Sequence, residues 1–338
     1  MFKAEESKAS EGPKAYLLQG TPDPLGSVVA FSAMYTGKVI RNKADVTDEE
    51  RRYHLEEMRK TKLKAPLEAV NLHFMIEGVT RSFTHQMVRQ RTAVYAQESL
   101  RFAVKEDAGE AVALPPSIMG TESYDEWDQE GQVSKQQEMR YIWDDAVDAM
   151  SQAYNQIINM GMPAEDARGL LPHNITTRLN YATNLRSLQD HAGNRLCTQA
   201  QFEWRLVWSK MIKAMRNYCT NTDHRNYEHP AGDYNPWCDN WQWQEISQLF
   251  KPICYLTGKC EFKADFDRAC SIRDRVDANA SIGRASSKWG EEYVVPGSEG
   301  GKVHLGMPVF PWGRVEDGAN IIPAIRPEEW LADPAAAR

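Results

Sequence analysis

The sequence has no apolar run near the roughly 20 residues that a membrane-spanning helix needs. Its first residues (MFKAEESKASEGPK) are polar and carry no secretion-type apolar core. Both absences predict a cytoplasmic protein with no membrane partner, in which the sequons at Asn174 and Asn279 have no meaning. Positive charge is also short: 47 acidic side chains face 40 basic ones, for a formal net charge of -7 and a pI near 5.7. Proteins that coat nucleic acid work by neutralising phosphates, so this balance argues against a nucleic-acid partner and leaves any local arginine cluster for a small anion. Cysteine is scarce and absent before Cys197; Cys197, Cys219, Cys238, Cys254, Cys260 and Cys270 form no Cys-x-x-Cys pair. The intervals from Cys238 to Cys254 to Cys260 match no familiar zinc-finger spacing, even beside His224 or His229, so reduced thiols and no metal site are expected. There is no Ser/His/Asp set at a suggestive spacing, no internal repeat, and no support for His73 or His85 as a base.

What is present is a soluble, globular composition, 42% hydrophobic and 26% charged, over 338 residues. That length buries a sizeable core in one large domain or two ordinary ones. Ala15 to Leu18 reads as a short strand, and Leu25 to Tyr35 as a helix entered through Pro22-Asp23-Pro24. Thr47-Asp48-Glu49-Glu50 has the capping-box pattern and opens a charged helix to about Lys60. Val70 to Ile76 is rich in strand formers and Gly78 marks its end, after which Thr80 to Gln90 carries helical spacing. A long helix is predicted from Lys135 to Met160, with Ile142, Trp143, Ala146, Val147, Met150, Tyr154, Ile157 and Ile158 on one stripe for core or subunit interface, stopped by Gly161 and Pro163. Ile175 to Ala182 has strand character, and Asn184 to Asn194 and Gln199 to Met215 look helical. Residues 221 to 244 read as a loop-like insertion with Trp237, Trp241 and Trp243, and residues 271 to 338 as an extension that wraps the core or a neighbouring subunit.

One stretch stands out against the acidic background. Gln86 to Arg101 gathers three arginines, three glutamines and Ser99 in sixteen residues against the single acid Glu98. Guanidinium forks make paired, charge-assisted hydrogen bonds to phosphate oxygens, and a serine hydroxyl adds a contact where the backbone turns. Arg89 and Arg91 diverge if helical and reach two different phosphates; the same spacing also fits a solvated basic face. The cluster falls where a strand-fed helix ends and a loop begins, a common place for binding residues.

Asn184 to Arg195 is the second informative run. On a helix Arg186 and Asp190 share a face, while Arg195, nine residues after Arg186, points to the opposite one at about 100° per residue. The run therefore serves two ligands, or else is an exposed helix with an Arg186 to Asp190 ion pair contributing a few tenths of a kcal/mol. His191 reads as structural or exposed, not catalytic.

With these residues in view, the chain resembles the flavin-dependent thymidylate synthase family. That family's Arg-His-Arg, seven residues, Ser motif stands here as Arg89-Gln90-Arg91, seven residues, Ser99, followed by Leu100-Arg101-Phe102, with the lead-in Ile76 to Arg81 and His85 to Val88. A second block agrees in order: Ala167-Arg168, Leu171-Pro172, Asn184-Leu185-Arg186, Arg195 and Gln199 to Glu203; Cys254 and Cys260 around Leu256-Thr257-Gly258 are a weaker likeness. The resemblance spans about residues 14 to 262 and leaves out the insertion and the tail.

The resemblance implies an α+β fold, a mixed or antiparallel sheet flanked by helices, over residues 1 to 270, assembled as a homotetramer with active sites between subunits. It implies that methylenetetrahydrofolate donates a one-carbon unit to carbon 5 of dUMP, that reduced FAD supplies the hydride, and that NADPH reduces the flavin. Carried over by position, Arg89, Gln90, Arg91, Thr92, Gln97, Asn184, Leu185, Arg186 and Asp190 would meet FAD. Gln86, Arg89, Gln97, Ser99, Arg101 and Arg168 would hold the nucleotide. Arg195 would meet the uracil and stabilise charge on the ring as carbon 5 becomes nucleophilic; Ser99, without a neighbouring base, is no nucleophile. Three departures bear on substrate scope and rate. Gln90 replaces the motif histidine, Ala65-Pro66-Leu67-Glu68-Ala69 replaces a Ser/Thr-Pro-Leu-Glu-His text, and Asp190 stands where His or Asn is common. UMP is an alternative substrate, and a non-catalytic nucleotide-binding homologue an alternative class.

Overall fold

Thr47 starts a helix by the chemistry its sequence announces. Its hydroxyl accepts from the Glu50 amide at 3.2 Å, and the Glu50 carboxylate accepts from the Thr47 amide at 3.0 Å. The computed structural model describes residues 12–105, 107–115, 117–118, 134–197, 200–218 and 241–253, with two short strands further on. They form β1 (Lys14–Gly20), α1 (Pro24–Ala33), α2 (Asp48–Lys60), β2 (Asn71–Thr80), α3 (Arg81–Met87) and β3 (Ala93–Gln97). These are followed by α4 (Lys135–Asn159), α5 (Ala164–Ala167), β4 (Thr176–Asn184), α6 (Leu185–Arg195), α7 (Phe202–Arg216) and α8 (Trp241–Ser247). β5 (Glu292–Val294) and β6 (Lys302–His304) pair antiparallel with each other.

The first four strands make one sheet in the order β1-β2-β4-β3. The Thr21 amide donates to Asn71 O at 3.0 Å, the Leu185 amide to Val70 O at 2.8 Å and the Arg81 amide to Ile175 O at 3.1 Å. Each bond joins the end of one strand to the start of its neighbour, so these pairs are antiparallel. The fold class is thus the predicted α+β, with its sheet antiparallel.

Two compact units divide the chain. In the unit containing residues 75–181, Ile76, Val79, Phe83, Met87, Leu179 and Tyr181 are buried. Most of the α4 stripe is core: Trp143, Val147 and Met150 pack on Leu100, Val112 and Ile175, and Ile157 and Ile158 on Tyr154 and Ala167. Of that stripe Ile142, at 60%, and Ala146 are exposed. In the unit containing residues 16–74 and 182 onward, α1 packs on α2, and α7 on α6 and α8. Trp204, Trp208 and Trp243 are its largest buried side chains.

Three expectations need correction. β2 does not stop at Gly78 but runs to Thr80. Gly78 takes φ +67°, and a Cβ there would lie 2.5 Å from Gly12 O, so only glycine lets the two backbones approach. The loop expected after the arginine cluster gives way to β3, because Ala93–Gln97 finds a partner in β4, a contact that local propensity does not encode. Trp241 and Trp243 are helical in α8, not loop; Trp243 is fully buried with its ring 6.0 Å from that of Tyr218. Trp237, five of the six cysteines and all of residues 271–338 except β5 and β6 lie outside the described residues.

Gly78→Ala is expected to lower stability by more than the roughly 1–2 kcal/mol of left-handed strain, since the clash with Gly12 adds to it. Gly37→Ala, at φ +77° with nothing within 4 Å, should show the strain alone. Urea denaturation of both variants measures the difference; equal losses would remove the close approach as a constraint.

Candidate functional site

Thr80 caps α3, its hydroxyl accepting from the Phe83 amide at 3.1 Å. The helix closes with Val88 N donating to Thr84 O and Gln90 N to Met87 O, so Arg89, Gln90 and Arg91 sit in a turn and not on a helix. The divergence of Arg89 and Arg91 thus comes from the turn. Both side chains are exposed, and among the described residues neither guanidinium has a hydrogen-bond or ion-pair partner.

The backbone that carries them is held from below. The Tyr95 hydroxyl lies 2.8 Å from Met87 O and 3.1 Å from Gln90 O, so its single proton serves one carbonyl or the other. The Tyr181 hydroxyl donates to Gln90 Oε1 at 2.8 Å. The two rings stack with centroids 5.4 Å apart and planes 17° from parallel. Burial pushes the Tyr95 hydroxyl well above the usual tyrosine range, so it stays a donor. Gln97 donates through Nε2 to Thr84 Oγ1 at 2.9 Å, while Gln86 is half-buried and Thr92 exposed.

The rest of the first run gathers around Glu165. The Arg101 guanidinium meets the Glu165 carboxylate at 2.6–2.7 Å, and Arg168 donates through Nε to Glu165 O at 3.1 Å. Residues 67 apart in sequence are thereby brought together. The Arg101 pair is about half exposed on each side, so it contributes little stability and gives way readily to an arriving anion. Ser99 Oγ accepts from the Arg101 amide at 3.3 Å. Two participants were not legible beforehand: Glu165, and Arg81. Arg81 is half-buried, its guanidinium makes no hydrogen bond among the described residues, and its pKa is lowered by burial, with Arg168 adding repulsion and Glu98 opposing. Its sequence signals were its place directly after a strand and at the end of the Ile76 to Arg81 lead-in.

In the other unit, Asn184 caps α6, its Oδ1 accepting from the Ser187 amide at 2.9 Å. Leu185 is wholly buried. Arg186 reaches Glu68 Oε1 at 2.6 Å, so the alternative of an Arg186 to Asp190 pair does not form. Asp190 is exposed, and its charge acts on Lys64, whose pKa burial lowers and Asp190 partly restores. Arg195 does leave the other side of the helix. Its guanidinium carbon stands 4.7 Å over the Trp204 ring, a cation–π contact. His191 is wedged edge-on against Trp204 at 4.9 Å and Trp208 at 6.1 Å, a structural histidine as expected. Among the described residues no group of three His, Cys, Asp or Glu could hold a metal ion, and no helix is long and apolar enough to cross a membrane.

A sequence model described as thymidylate synthase complementing protein (Thy1) matches residues 16–219. The flavin-dependent thymidylate synthase of Geobacter sulfurreducens is 30% identical over 207 residues, covering 60% of this chain and 82% of that one. Its counterpart from Clostridium tetani is 30% identical over 228 residues, 62% and 85% of the two chains. That of Pyrococcus furiosus is 36% identical over 151 residues, 44% and 56%. Among solved structures, a UMP/dUMP methylase, PolB, from Streptomyces cacaoi with bound 5-Br dUMP aligns at TM-score 0.49 and 18% identity, over 60% of this chain and 89% of that one.

The buried His191 makes a pH prediction. Burial, and then the Arg195 charge, hold its pKa down at about 4, against 6.5 for a free imidazole. As pH falls below 6.5 the unfolded chain takes up this proton and the folded chain does not. The stability it contributes is therefore complete above 6.5 and is lost progressively toward 4, at up to about 1.4 kcal/mol per pH unit. Chemical denaturation at pH 7 and pH 5 is expected to show a smaller loss in His191→Leu than in the parent; identical losses would mean that His191 is solvated.

Proposed function

The chain belongs to the thymidylate synthase complementing protein family, and from that membership we propose that it is an FAD-dependent enzyme that methylates carbon 5 of dUMP to give dTMP. Methylenetetrahydrofolate is the one-carbon donor, NADPH the reductant, and the working form a homotetramer with active sites between subunits. The observation that carries the reading is the Arg89 to Arg91 turn. It is an exposed pair of guanidiniums without a protein counter-charge among the described residues, on a turn held by Tyr95 at its backbone and by Tyr181 at the Gln90 side chain.

This donor set fits FAD, a dinucleotide with a diphosphate: two splayed guanidiniums suit two phosphates. Arg89, Gln90, Arg91, Thr92 and Gln97, with Asn184, Leu185, Arg186 and Asp190, are assigned to the flavin. Leu185, having no exposed side chain, is left with its backbone. When bound and reduced, FAD supplies the hydride that completes the methyl group.

The chain's own residues bind and polarise. Gln86, Arg89, Gln97, Ser99, Arg101 and Arg168 hold the nucleotide, its phosphate displacing the exposed Glu165 carboxylate from Arg101. Arg195, fixed on the Trp204 ring, stands beside the uracil as a permanent cation. It stabilises negative charge on the ring as carbon 5 attacks the one-carbon unit, and it needs no reorganisation to do so. As the bond from carbon 5 to the methylene carbon formed, the donor's carbon–nitrogen bond would break to release tetrahydrofolate, whose nitrogen would take up a proton as carbon 5 gave one up; with Arg195 holding the ring's charge, no protein nucleophile is invoked.

The purified protein is expected to be yellow, to bind FAD, and to convert dUMP to dTMP only with methylenetetrahydrofolate. Running UMP beside dUMP measures substrate choice. Arg195→Ala should cut kcat by roughly 100-fold or more while leaving FAD bound. Protein that takes up no FAD and gains no thermal protection from dUMP or UMP overturns the proposal. Flavin binding without flavin oxidation coupled to product, in a single turnover, turns it into a nucleotide sensor.

A further inference from the structure

Gln90 is where the chain departs from the family's Arg-His-Arg text, and its surroundings give that departure a role. The residue lies at the centre of the turn, with Arg89 before it and Arg91 after. Its Oε1 accepts from the Tyr181 hydroxyl at 2.8 Å, and its main-chain carbonyl, 3.1 Å from the Tyr95 hydroxyl, shares that hydroxyl's proton with Met87 O at 2.8 Å. The tyrosines come from neighbouring antiparallel strands. Glu98 N donates to Arg178 O at 2.9 Å, and that register sets Tyr95 opposite Tyr181, where the rings stack. The sheet therefore delivers two hydroxyls, on one stacked pair, to the one residue between the two exposed guanidiniums.

We propose that Tyr181 and Tyr95 are positioning residues for the Arg89/Arg91 anion cradle and act through Gln90, which serves as an internal hydrogen-bond acceptor that does not titrate. This rests on the reading of the turn as the flavin and nucleotide cradle. A short exposed turn bearing two like charges has no reason of its own to hold one conformation. Clamping its middle residue on both backbone and side chain sets the directions of both neighbours at once. The chemistry of the acceptor matters as well. A glutamine oxygen accepts from Tyr181 at any pH, whereas an imidazole accepts only while neutral, because the imidazolium has donors alone.

That difference supplies a test whose sign separates a strut from a ligand-facing group. FAD and dUMP affinities are measured by titration, with KM and kcat, for the parent, Arg89→Ala, Tyr181→Phe, Gln90→Ala, Gln90→Glu and Gln90→His. Losing one hydrogen bond is expected to weaken FAD and dUMP binding by about threefold to tenfold in Tyr181→Phe and in Gln90→Ala, with kcat within about twofold in Tyr181→Phe. Gln90→Glu keeps an acceptor at the same reach but sets a carboxylate between the two guanidiniums, so it should weaken both ligands at least as much as Gln90→Ala. The Tyr181→Phe/Gln90→Ala double variant should lose no more than the worse single variant, as expected for two ends of one bond.

Gln90→His is the decisive arm. Acting through Tyr181, it binds anions as the parent does near pH 8 and more weakly near pH 5.5; facing the phosphates directly, it binds them more tightly as it gains charge. Tightening at low pH overturns the proposal, as do unchanged affinities in Gln90→Ala. These Gln90 arms decide it even where Tyr181→Phe fails to fold. Arg89→Ala separates the two levels: if it leaves FAD and dUMP binding unchanged, the cradle reading itself is lost, whereas a loss there with no effect at Gln90 or Tyr181 overturns only the positioning role.

Discussion

The register between β3 and β4 is the constraint on which the arginine turn depends. Once Glu98 N is bonded to Arg178 O, alternation along the strands leaves Tyr95 and Tyr181 on the same face and directly paired. Their hydroxyls then reach the carbonyls that end α3 and the side chain of Gln90. A slip of one residue would move either ring to the opposite face of the sheet and release the turn. Arg89 and Arg91 can stay exposed, and unpaired among the described residues, because the turn that carries them is anchored by groups other than themselves.

The two units use cations differently. Around Glu165, Arg101 is held in an exposed, exchangeable pair and Arg168 by a single carbonyl contact, an arrangement suited to charges that are handed to a ligand. Arg195 lies instead on an indole face. An aromatic platform favours one direction for a guanidinium laid over its face. His191 beside it is kept neutral by burial and by that same charge, so no second cation competes for the position.

Much of this was legible from local chemistry. The Thr47 capping box, the long α4 stripe and the termini of α6 follow from nearest-neighbour rules, because the groups involved lie within four residues of one another. The Gln86 to Arg101 cluster is visible as composition, and its turn as the end of a helical period. β3 was missed because its strand character comes from a partner some eighty residues later in the chain. Trp241 and Trp243 were misread because proline and glycine nearby outweighed a short apolar face that becomes helical only on burial against α7.

Taken alone, the sequence determined which charges the protein carries, where its helices begin, that the sheet alternates with them, and which arginines stand free of acidic neighbours along the chain. All of these are set by spacing over a few residues. Only the tertiary structure decided which acid each arginine meets: Glu68 for Arg186 in place of Asp190, Glu165 for Arg101, and an indole for Arg195. It likewise decided that Gln90 is gripped by Tyr95 and Tyr181. These partners lie from five to 118 residues away, and pairing over most of that range is settled by sheet register and helix packing, which no local pattern encodes.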